Sequence, residues 1–511
     1  MLTSSNGTKG NHSDGATKDG ASEQPLILIL CTSSTAPGHV LPLCEIAKHL
    51  VSRGYDITFV GGVQHRHIIE GSGSTFFPVH ESLTIQKGPY RKWGMERQKY
   101  AEGLPRMRQD FKTFFIGQIP GQFESTKSAL LELRRRGGPH REILVINETM
   151  WFGYLPFKFG ASVLPEFENT GMPKTLGINV TPLMLDSIDV PAMPLGLLPD
   201  PTGSKLVQER DAVMRDILYK YVVNEAYEGF REHMRACGGE AVPDDWMVNL
   251  SVTAHDTTLQ LCNAALEYPR SDLPSHVRFA GTLPKRCTPP DYVFPDWWES
   301  DLVANAALAE DDPARKHVVV VSQGTLSLDY TMLLVPTIKA LKGKPNMLLI
   351  ALLGKQSTQG PPGPGPSGPG GPPPGGPPAP RIPPEVEGGN EDNVRIADFV
   401  PYSAIFQYAD IMVFNGGYGG FTQCAAGGVP MIAAGMTEEK NEVSTRVEWA
   451  GLGVNLRTGR PSPEAIAGAV DKILGNPTKY RARAKEVAAE IASGRTLDVV
   501  AEEVAALTKL R

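Results

Sequence analysis

Short, continuous apolar runs alternate with amphipathic stretches along most of this chain, and this alternation constrains the fold more than any other feature. The first run, LILILC, begins at Leu26; the stretch LPLCEIAKHLVSRG then leads to a second run, DITFVGG. Apolar strands separated by helices are typical of a parallel sheet that is covered on both faces. The sequence therefore predicts an α/β fold built from parallel strands and crossover helices.

The alternation stops and then starts again, which predicts two sheets in tandem. Between residues 281 and 316 the composition turns to Pro, Trp and acidic residues, and HVVVVSQG then begins a second series at His317. With 511 residues the chain is long enough for two domains, each with its own core. We therefore expect two doubly wound domains.

Changes in composition also predict where the chain divides. The first residues contain almost no large apolar side chain, so they cannot offset the entropy of ordering and are expected to be disordered. The predicted units are a disordered tail (1–24), an N-terminal domain (25–285), a linker (286–316), a C-terminal domain (317–495) and a last helix (496–511).

A run of Pro and Gly interrupts the second series of elements. Residues 360–380 read GPPGPGPSGPGGPPPGGPPAP, and only Ser367 and Ala379 differ from Pro and Gly. The glycines lack the every-third period of collagen, so the run predicts a mobile insertion over residues 356–384 with polyproline II character. A tolerated insertion is our preferred interpretation, and a partner with a proline-binding groove is the alternative.

The composition excludes several kinds of partner and site. A formal net charge of −6 gives no general attraction to nucleic acid or to an anionic membrane surface. The six cysteines have no C-x-x-C spacing, which argues against a zinc site and a disulfide framework. No apolar run reaches the roughly 20 residues of a membrane span. We expect a soluble cytoplasmic protein, either a monomer or a weak dimer.

A glycine cluster follows an apolar run in the second half. The stretch IMVFNGGYGGFTQCAAGGVP, from Ile411, predicts a strand, a glycine-rich turn and a helix. Free N–H groups at a helix N-terminus favour negative charge, and glycine lets the backbone approach a phosphate closely. The cluster is neither a P-loop nor a G-x-G-x-x-G motif. The cluster fits two interpretations equally well: a phosphate-binding site, and a turn that is needed only for tight packing.

Two ionisable residues follow strands of the first half. His39 opens the first helix, where the helix N-terminus is expected to lower its pKa and keep it neutral, as a general base requires. Glu148 leaves the carboxyl end of another predicted strand and could orient the imidazole. The simpler interpretations are a polar helix cap for His39 and an acid at a helix start for Glu148.

Together these motifs resemble the UDP-dependent glycosyltransferases of the GT-B type, and in particular fungal and bacterial members that act on natural products and carry NGGYGG. The similarity extends from Pro25 to the C-terminus. Its matching blocks include PGHVLPLCEIAKHLVSRGYDITFV, VVVVSQGT, VRIADFVPYSAIF and VFNGGYGGFTQCAAGGVPMIAAG. The resemblance implies two Rossmann-like domains that face a central cleft, with the acceptor bound by the N-terminal domain and the UDP-sugar by the C-terminal domain.

The resemblance also implies roles for single residues. His39 would remove the proton of the acceptor hydroxyl, and Glu148 would support it. The uracil base would lie against Phe399 and the backbone of Val400. The other residues of the implied donor site are Ser322, Gln323, Gly324, Thr325, Asn415, Gly416, Gly417, Tyr418, Gly419, Gly420, Gln423, Glu439 and Lys440.

Four of these positions depart from the pattern of the family. Many members have His where Asn415 stands, Asp for Glu148, Glu for Gln423 and Gln for Lys440. Asn415 keeps an N–H donor but adds no positive charge, so the helix N-terminus would supply most of the electrostatic attraction for a diphosphate. Lys440 adds a cation beside the sugar.

The implied reaction is an inverting, metal-independent transfer of a hexose, with glucose as the first choice, from a UDP-sugar to a hydroxyl group. No cofactor and no metal are expected, because the UDP-sugar is a co-substrate. The alternatives are a nucleotide-sugar epimerase on the same fold and a catalytically silent auxiliary subunit of a biosynthetic complex.

The acceptor is indicated only by a region rich in aromatic and basic residues, from Tyr90 to Phe123. An apolar pocket with a few polar groups suits a phenolic, polyketide, terpenoid or lipid acceptor, in secondary metabolism or detoxification. Alternatively, Phe111, Phe114 and Phe115 form one buried face of a helix.

Overall fold

The structure is a computed structural model, and it describes residues 24–32, 38–84, 96, 99–101, 103–324, 327, 329–354, 383–387, 390 and 392–509. Three sequence predictions fall wholly or almost wholly outside these residues: the disordered tail, the Pro/Gly insertion and the donor contact of Thr325. Tyr90, at the start of the aromatic region, also lies outside them.

A seven-stranded parallel sheet occupies the first half of the chain. Its strands are β1 (Leu26–Leu30), β2 (Asp56–Gly61), β3 (Thr75–Pro78), β4 (Ile143–Glu148), β5 (Lys174–Asn179), β6 (Thr257–Gln260) and β7 (Val277–Phe279). They are ordered β3-β2-β1-β4-β5-β6-β7. Every residue of β1 and β4 is buried, as predicted for strands that are covered on both faces.

Helices lie between the strands of this sheet along the chain. They are α1 (Val40–Ser52), α2 (Arg66–Gly71), α3 (Leu104–Asp110), α4 (Ile119–Gly137), α5 (Leu155–Lys158), α6 (Lys205–Ile217), α7 (Asn224–Ala236) and α8 (Met247–Thr253). In α1, the residues Val40, Leu43, Ala47 and Leu50 are buried and join the core of the first sheet. This stripe is the face that the sequence predicts for an amphipathic helix.

A six-stranded parallel sheet occupies the second half. Its strands are β8 (His317–Ser322), β9 (Met347–Leu352), β10 (Val394–Ala397), β11 (Ile411–Phe414), β12 (Met431–Ala433) and β13 (Gly453–Asn455), and their order is β10-β9-β8-β11-β12-β13. The remaining helices are α9 (Ala304–Ala307), α10 (Leu334–Leu341), α11 (Pro384–Glu387), α12 (Tyr402–Ile405), α13 (Tyr418–Gly427), α14 (Lys440–Trp449), α15 (Pro463–Leu474), α16 (Pro477–Ser493) and α17 (Thr496–Lys509).

Both sheets reverse their strand order next to their first strand. The reversal lies between β1 and β4 in the first sheet and between β8 and β11 in the second. Open α/β sheets bind ligands outside the carboxyl ends of the strands at such a switch point. The two doubly wound sheets confirm the predicted fold class, and their switch points mark two edges where a site can form.

The last helix, α17, returns to the first sheet. Val500, Ala501, Val504 and Leu507 pack in the same core as β1 and α1, and the Thr496 hydroxyl donates a hydrogen bond to the Thr282 carbonyl at 2.9 Å. These contacts show that the end of the chain packs against the first half. The domain boundaries given above stay a prediction.

The aromatic residues around Phe111 do not form one fully buried helix face. Phe111, Phe114 and Phe115 lie in a π-helical turn (Phe111–Phe115), and each is only half-buried. Phe111 meets the edge of Trp246 at 5.6 Å between ring centroids. The interpretation of these three residues as one buried helix face is therefore only partly correct, since each of them remains partly accessible.

Candidate functional site

The carboxyl edge of the first sheet brings His39 and Glu148 together at its switch point. His39 precedes α1, Glu148 ends β4, and Nδ1 of His39 lies 3.2 Å from Oε1 of Glu148. The two groups form an ion pair when the imidazole is protonated, and within the described chain Nδ1 is buried without a well-aligned hydrogen-bond acceptor. Because Nδ1 faces the carboxylate, Nε2 is the ring nitrogen available to accept a proton.

The protein interior holds the Glu148 carboxylate in place. Glu148 is fully buried; its Oε2 accepts a hydrogen bond from the Thr32 hydroxyl at 2.5 Å and its Oε1 accepts one from the Met150 N–H at 3.0 Å. Burial raises the pKa of Glu148, but His39 and these two donors lower it further, so the net shift is downward. Glu148 is therefore a charged, oriented partner for the imidazole.

The pKa of His39 shifts in the opposite direction from the sequence prediction. Burial lowers the pKa of His39, but the charge of Glu148 and its contact with the ring outweigh burial and raise the pKa above 6.5. A smaller contribution comes from Glu439. The expected lowering by the helix N-terminus is wrong because the fold places the Glu148 carboxylate 3.2 Å from the ring nitrogen, where its charge raises the pKa. A raised pKa makes the neutral imidazole a stronger base.

The switch point of the second sheet carries the glycine cluster. Gly416 follows β11 with a left-handed backbone (φ 76°), and a Cβ there would lie 2.7 Å from the Lys440 carbonyl oxygen and from the Ser444 hydroxyl. Both conditions require glycine. The packing interpretation of the cluster therefore holds for Gly416, which lets the turn after β11 contact α14.

The next glycines lie in the first turn of α13 and have different surroundings. Gly417 is the N-cap residue and provides no side-chain cap, and a Cβ on Gly419 would meet nothing within 4 Å. The first N–H groups of a helix have no intrahelical acceptor. Tight packing therefore does not explain Gly419, whose backbone faces open space at a helix end that favours anions.

Asn415 and its neighbours join β11 to β8. The Asn415 side-chain amide donates a hydrogen bond to the Gln323 carbonyl oxygen at 2.5 Å. The buried Gln323 side chain accepts hydrogen bonds from the N–H groups of Leu333 and Leu334 at 2.9 and 3.0 Å, where α10 begins. Both amides therefore have structural partners, and Asn415 keeps one further N–H for another acceptor.

The other predicted donor residues surround the same edge. The Ser322 hydroxyl accepts a hydrogen bond from the Gly324 N–H at 3.2 Å, and Gln423 is half-buried on α13. Val400 is buried, whereas Phe399 is 38% exposed. Phe399 is therefore partly accessible to solvent.

A small, shallow pocket of about 20 Å³, partly open to solvent, lies beside β8, β11 and α14. Its walls include Gln323, Asn415 and Lys440. The Lys440 ammonium donates a hydrogen bond to the Thr437 hydroxyl at 3.0 Å and pairs with Glu438, and Glu439 is the N-cap residue of α14. The structure thus brings Lys440 and Asn415, two of the implied donor residues, to one pocket, whereas Glu439 and the residues from Gly416 to Gly420 are not part of its walls.

Contacts between the halves of the chain turn the two edges towards each other. The Gln260 side chain, at the end of β6, donates a hydrogen bond to the Tyr418 hydroxyl at 3.0 Å. On α14, the Glu442 carboxylate accepts a hydrogen bond from the Gly196 N–H at 2.7 Å. Because the two edges face each other, Glu439 in the second half of the chain acts on His39 in the first half and raises its pKa.

Sequence reasoning missed three polar residues at these edges. Thr32 holds Glu148, Gln260 holds Tyr418, and the Tyr292 hydroxyl donates a hydrogen bond to the Phe399 carbonyl at 2.6 Å. Thr32 directly follows the first apolar run, and that position at the carboxyl end of a strand is the one signal that could have indicated it.

Two negative findings apply to the described residues. None of the helices there is both long and apolar enough to cross a lipid bilayer. No group of three or more His, Cys, Asp or Glu side chains in these parts of the chain is arranged to hold a metal ion.

Comparison with known proteins gives consistent matches over most of the chain. The family described as "Erythromycin biosynthesis protein CIII-like, C-terminal domain" matches residues 388–507. UDP-glycosyltransferase 2 of Phaeomoniella chlamydospora is 34% identical over 91% of this chain and 92% of its own length. UDP-glucosyltransferase 1 of Beauveria bassiana is 32% identical over 93% and 94%.

Among solved structures, the glycosyltransferase of kitacinnamycin aligns with 93% of this chain and 99% of its own, with a TM-score of 0.59 and 18% identity. This similarity confirms the GT-B fold, with two Rossmann-like domains. The sequence similarity to the two fungal proteins extends over nearly the full length of this chain and of each relative. The chain therefore belongs to the UDP-glycosyltransferases of the GT-B type.

Proposed function

We propose that this enzyme transfers a hexose, with glucose as the first choice, from its UDP-sugar to a hydroxyl group of a hydrophobic small molecule, with inversion at the anomeric carbon. The observation that carries the proposal is the pairing of His39 with a buried carboxylate at 3.2 Å, on the edge that faces the glycine cluster. The name of the Beauveria bassiana relative, a UDP-glucosyltransferase, supports glucose as the sugar.

In the proposed step, the acceptor oxygen attacks C1 of the sugar from the side opposite UDP. The acceptor proton moves to Nε2 of His39, the C1–O bond to the diphosphate breaks, and its electron pair leaves with UDP. Glu148 stabilises the imidazolium that forms. One displacement inverts the configuration at C1.

The leaving diphosphate would be bound by backbone rather than by charged side chains. Gly417 to Gly420 open α13 without a side-chain cap, and the space beside Gly419 is open. Such N–H groups stabilise negative charge without reorganisation. Asn415 would add one side-chain donor, Phe399 would stack on the uracil, and Gln423 would bond the ribose. Ser322, Gly324 and Thr325 would complete the wall of the donor site.

The sugar hydroxyls would meet Glu439 and Lys440. Glu439 begins α14, and Lys440 is held by Thr437 and Glu438. A carboxylate and an ammonium at one helix start can accept from and donate to neighbouring sugar hydroxyls. The half-buried aromatic rings around Phe111 supply apolar surface for a phenolic, polyketide, terpenoid or lipid acceptor.

The proposal is tested by a UDP-release screen of several UDP-sugars against hydrophobic alcohols and phenols, with and without a chelator. We expect release with UDP-glucose and a phenolic or aliphatic hydroxyl, undiminished by the chelator. NMR of the product should show a β-linkage from the α-linked donor. An α-linked product, or release only after Mg²⁺ is restored, contradicts the proposed step.

A further inference from the structure

A short loop from the first half of the chain packs against the start of α14 in the second half. We call it the docking loop, and it consists of residues 194–196 between β5 and α6. The Gly196 N–H donates a hydrogen bond to the Glu442 carboxylate at 2.7 Å, and the Gly196 carbonyl accepts one from the Thr445 hydroxyl at 3.1 Å. Glu442 and Thr445 are each 1% exposed, so water has little access to their side of the contact.

Gly196 has the backbone conformation that this close contact requires. Its φ is 63°, in the left-handed region, and a Cβ there would lie 3.0 Å from the Cβ of Asn441. Two residues before it, the Pro194 carbonyl oxygen accepts a hydrogen bond from the Asn441 side-chain amide. Asn441 and Thr445 lie four residues apart and therefore share one face of α14. The docking loop contacts this face in the first two turns of the helix.

A chain of buried charges leads from this contact back to the first half. The Glu442 carboxylate accepts a hydrogen bond from the Arg446 guanidinium at 3.1 Å, and the same guanidinium donates to both oxygens of Glu267 at 2.6 and 3.0 Å. All three side chains are buried, where ion pairs are screened little by salt. Because Glu267 belongs to the first half, α14 is held to that half by two routes, the docking loop and Glu267.

The docked part of α14 is also the part that carries the implied sugar contacts. Glu439 is the N-cap residue of α14, and Lys440 is its first residue, directly before Asn441. The docking loop therefore fixes where these two side chains lie relative to the first half, which contains His39. In-line attack needs the reacting atoms about 3–3.5 Å apart, and a displacement of about 1 Å can slow it roughly 10²-fold.

We propose that Gly196 and Thr445 are positioning residues for the transfer: their contact holds the sugar-binding start of α14 at the distance from His39 that in-line attack requires. This inference rests on the proposed function, in which Glu439 and Lys440 hold the sugar and His39 takes the acceptor proton. It assigns to the docking loop an effect on the reaction that is exerted through α14, without contact with either substrate.

The proposal predicts that turnover and nucleotide binding respond differently to a change at the docking loop. The residues proposed for the uracil and the diphosphate, Phe399 and residues 415–420, belong to α13 and to the segments before α12 and α13. None of them is part of the docking loop. A displaced start of α14 should therefore lower kcat and leave the affinity for UDP nearly unchanged.

The first test is Thr445→Val, which keeps the shape of the side chain and removes its hydroxyl. We expect kcat with UDP-glucose and a phenol to fall about tenfold, while the Kd of UDP measured by calorimetry stays within about twofold of the wild type. Thr445→Ser keeps the hydroxyl and should retain kcat within about twofold of the wild type.

The second test, Gly196→Ala, alters the other side of the contact and has Gly203→Ala as its matched control. Both glycines have a φ of 63°, but a Cβ on Gly203 would meet nothing within 4 Å. Both variants should unfold at a lower temperature, because Ala is strained in the left-handed region. Only Gly196→Ala should lower kcat, by about tenfold, since its methyl group would push against Asn441.

Amide hydrogen exchange measures the docking without any turnover. Residues 440–446 should exchange faster in Thr445→Val than in the wild type or in Thr445→Ser. The proposal is overturned if this exchange is unchanged, if Thr445→Val keeps the wild-type kcat, if Gly203→Ala loses as much kcat as Gly196→Ala, or if the affinity for UDP falls in step with kcat. A wild type without turnover on UDP-glucose would contradict the proposed function, whereas unchanged exchange in Thr445→Val would contradict the docking itself.

Discussion

The two switch points of this molecule occupy equivalent positions in two similar sheets, yet their chemistry differs. At the first, a half-buried His39 contacts the fully buried Glu148, and each shifts the pKa of the other. At the second, Asn415 and the glycines up to Gly420 provide amide and backbone groups, and the ionisable Lys440 comes from the neighbouring helix α14. The fold supplies the two edges, and the residues after the strands decide what each can do.

The difference corresponds to two demands of a transfer reaction. Proton removal requires a base whose charge changes, and a buried carboxylate beside an imidazole provides it. A leaving diphosphate requires fixed donors that do not change charge, and a helix N-terminus provides them. Each of the following predictions alters a residue at one edge and states which property should change.

The largest effect is expected for His39→Ala. Turnover should fall by about 10²–10⁴-fold, the usual contribution of a general base, while the affinity for UDP-glucose measured by calorimetry stays within twofold of the wild type. Turnover within tenfold of the wild type would show that another group removes the proton. A parallel loss of UDP-glucose affinity would show that the two edges do not act separately.

A smaller effect is expected for Gly419→Ala, with Gly468→Ala as the matched control. Both glycines lie in helices, and a Cβ at either position meets nothing within 4 Å. Both variants should therefore unfold at the wild-type temperature or slightly above it. Only Gly419→Ala should weaken UDP binding, by about tenfold, or roughly 1.4 kcal/mol, since its methyl group would occupy the space of the diphosphate.

Gly416→Ala provides the contrast within the same cluster. The left-handed backbone and the close contact with α14 predict a loss of stability of about 2 kcal/mol or more in thermal or denaturant unfolding. If Gly416→Ala and Gly419→Ala behaved alike in both assays, the distinction between a packing glycine and a ligand-facing glycine would be wrong.

The smallest effect is expected for Tyr418→Phe, which removes the hydrogen bond from Gln260 that joins the two halves at the cleft. A lost hydrogen bond costs about 0.5–1.5 kcal/mol, and somewhat more when the buried partner stays unsatisfied. We expect a lower midpoint of thermal unfolding and a few-fold higher KM for UDP-glucose, with kcat little changed. A change in kcat alone would argue against a positioning role.

Patterns within the chain predicted the fold because they depend on local periodicity. The buried run of β1 and the apolar stripe of α1 follow directly from the order of their residues. The same order placed His39 and Glu148 at the carboxyl ends of strands, where sites of parallel sheets form. Their roles came from the resemblance to a family rather than from the pattern.

Contacts between distant segments could not be predicted. The bond of Gln260 to Tyr418 spans 158 positions, and nothing in either neighbourhood indicates the other. The pKa of His39 was predicted in the wrong direction because the prediction weighed only the helix N-terminus. Glu148 was expected near the ring, but its distance and the burial of the pair, which decide the shift, depend on the fold. Gly416 packs against α14, whereas a Cβ on Gly419 would meet no neighbouring atom. This difference also depends on where α14 lies, which the local sequence does not show.

The most direct test of the central claim is the pH dependence of kcat/KM in the wild type and in Glu148→Gln, with Glu148→Asp as the conservative variant. The neutral imidazole is the active form, so kcat/KM should rise with pH through the pKa of His39. The wild-type midpoint should lie above 6.5, because Glu148 raises that pKa. In Glu148→Gln burial is opposed only by the smaller effect of Glu439, so the midpoint should fall below 6.5 and the plateau should drop, whereas Glu148→Asp should stay closer to the wild type. An identical midpoint in the wild type and in Glu148→Gln would contradict the account.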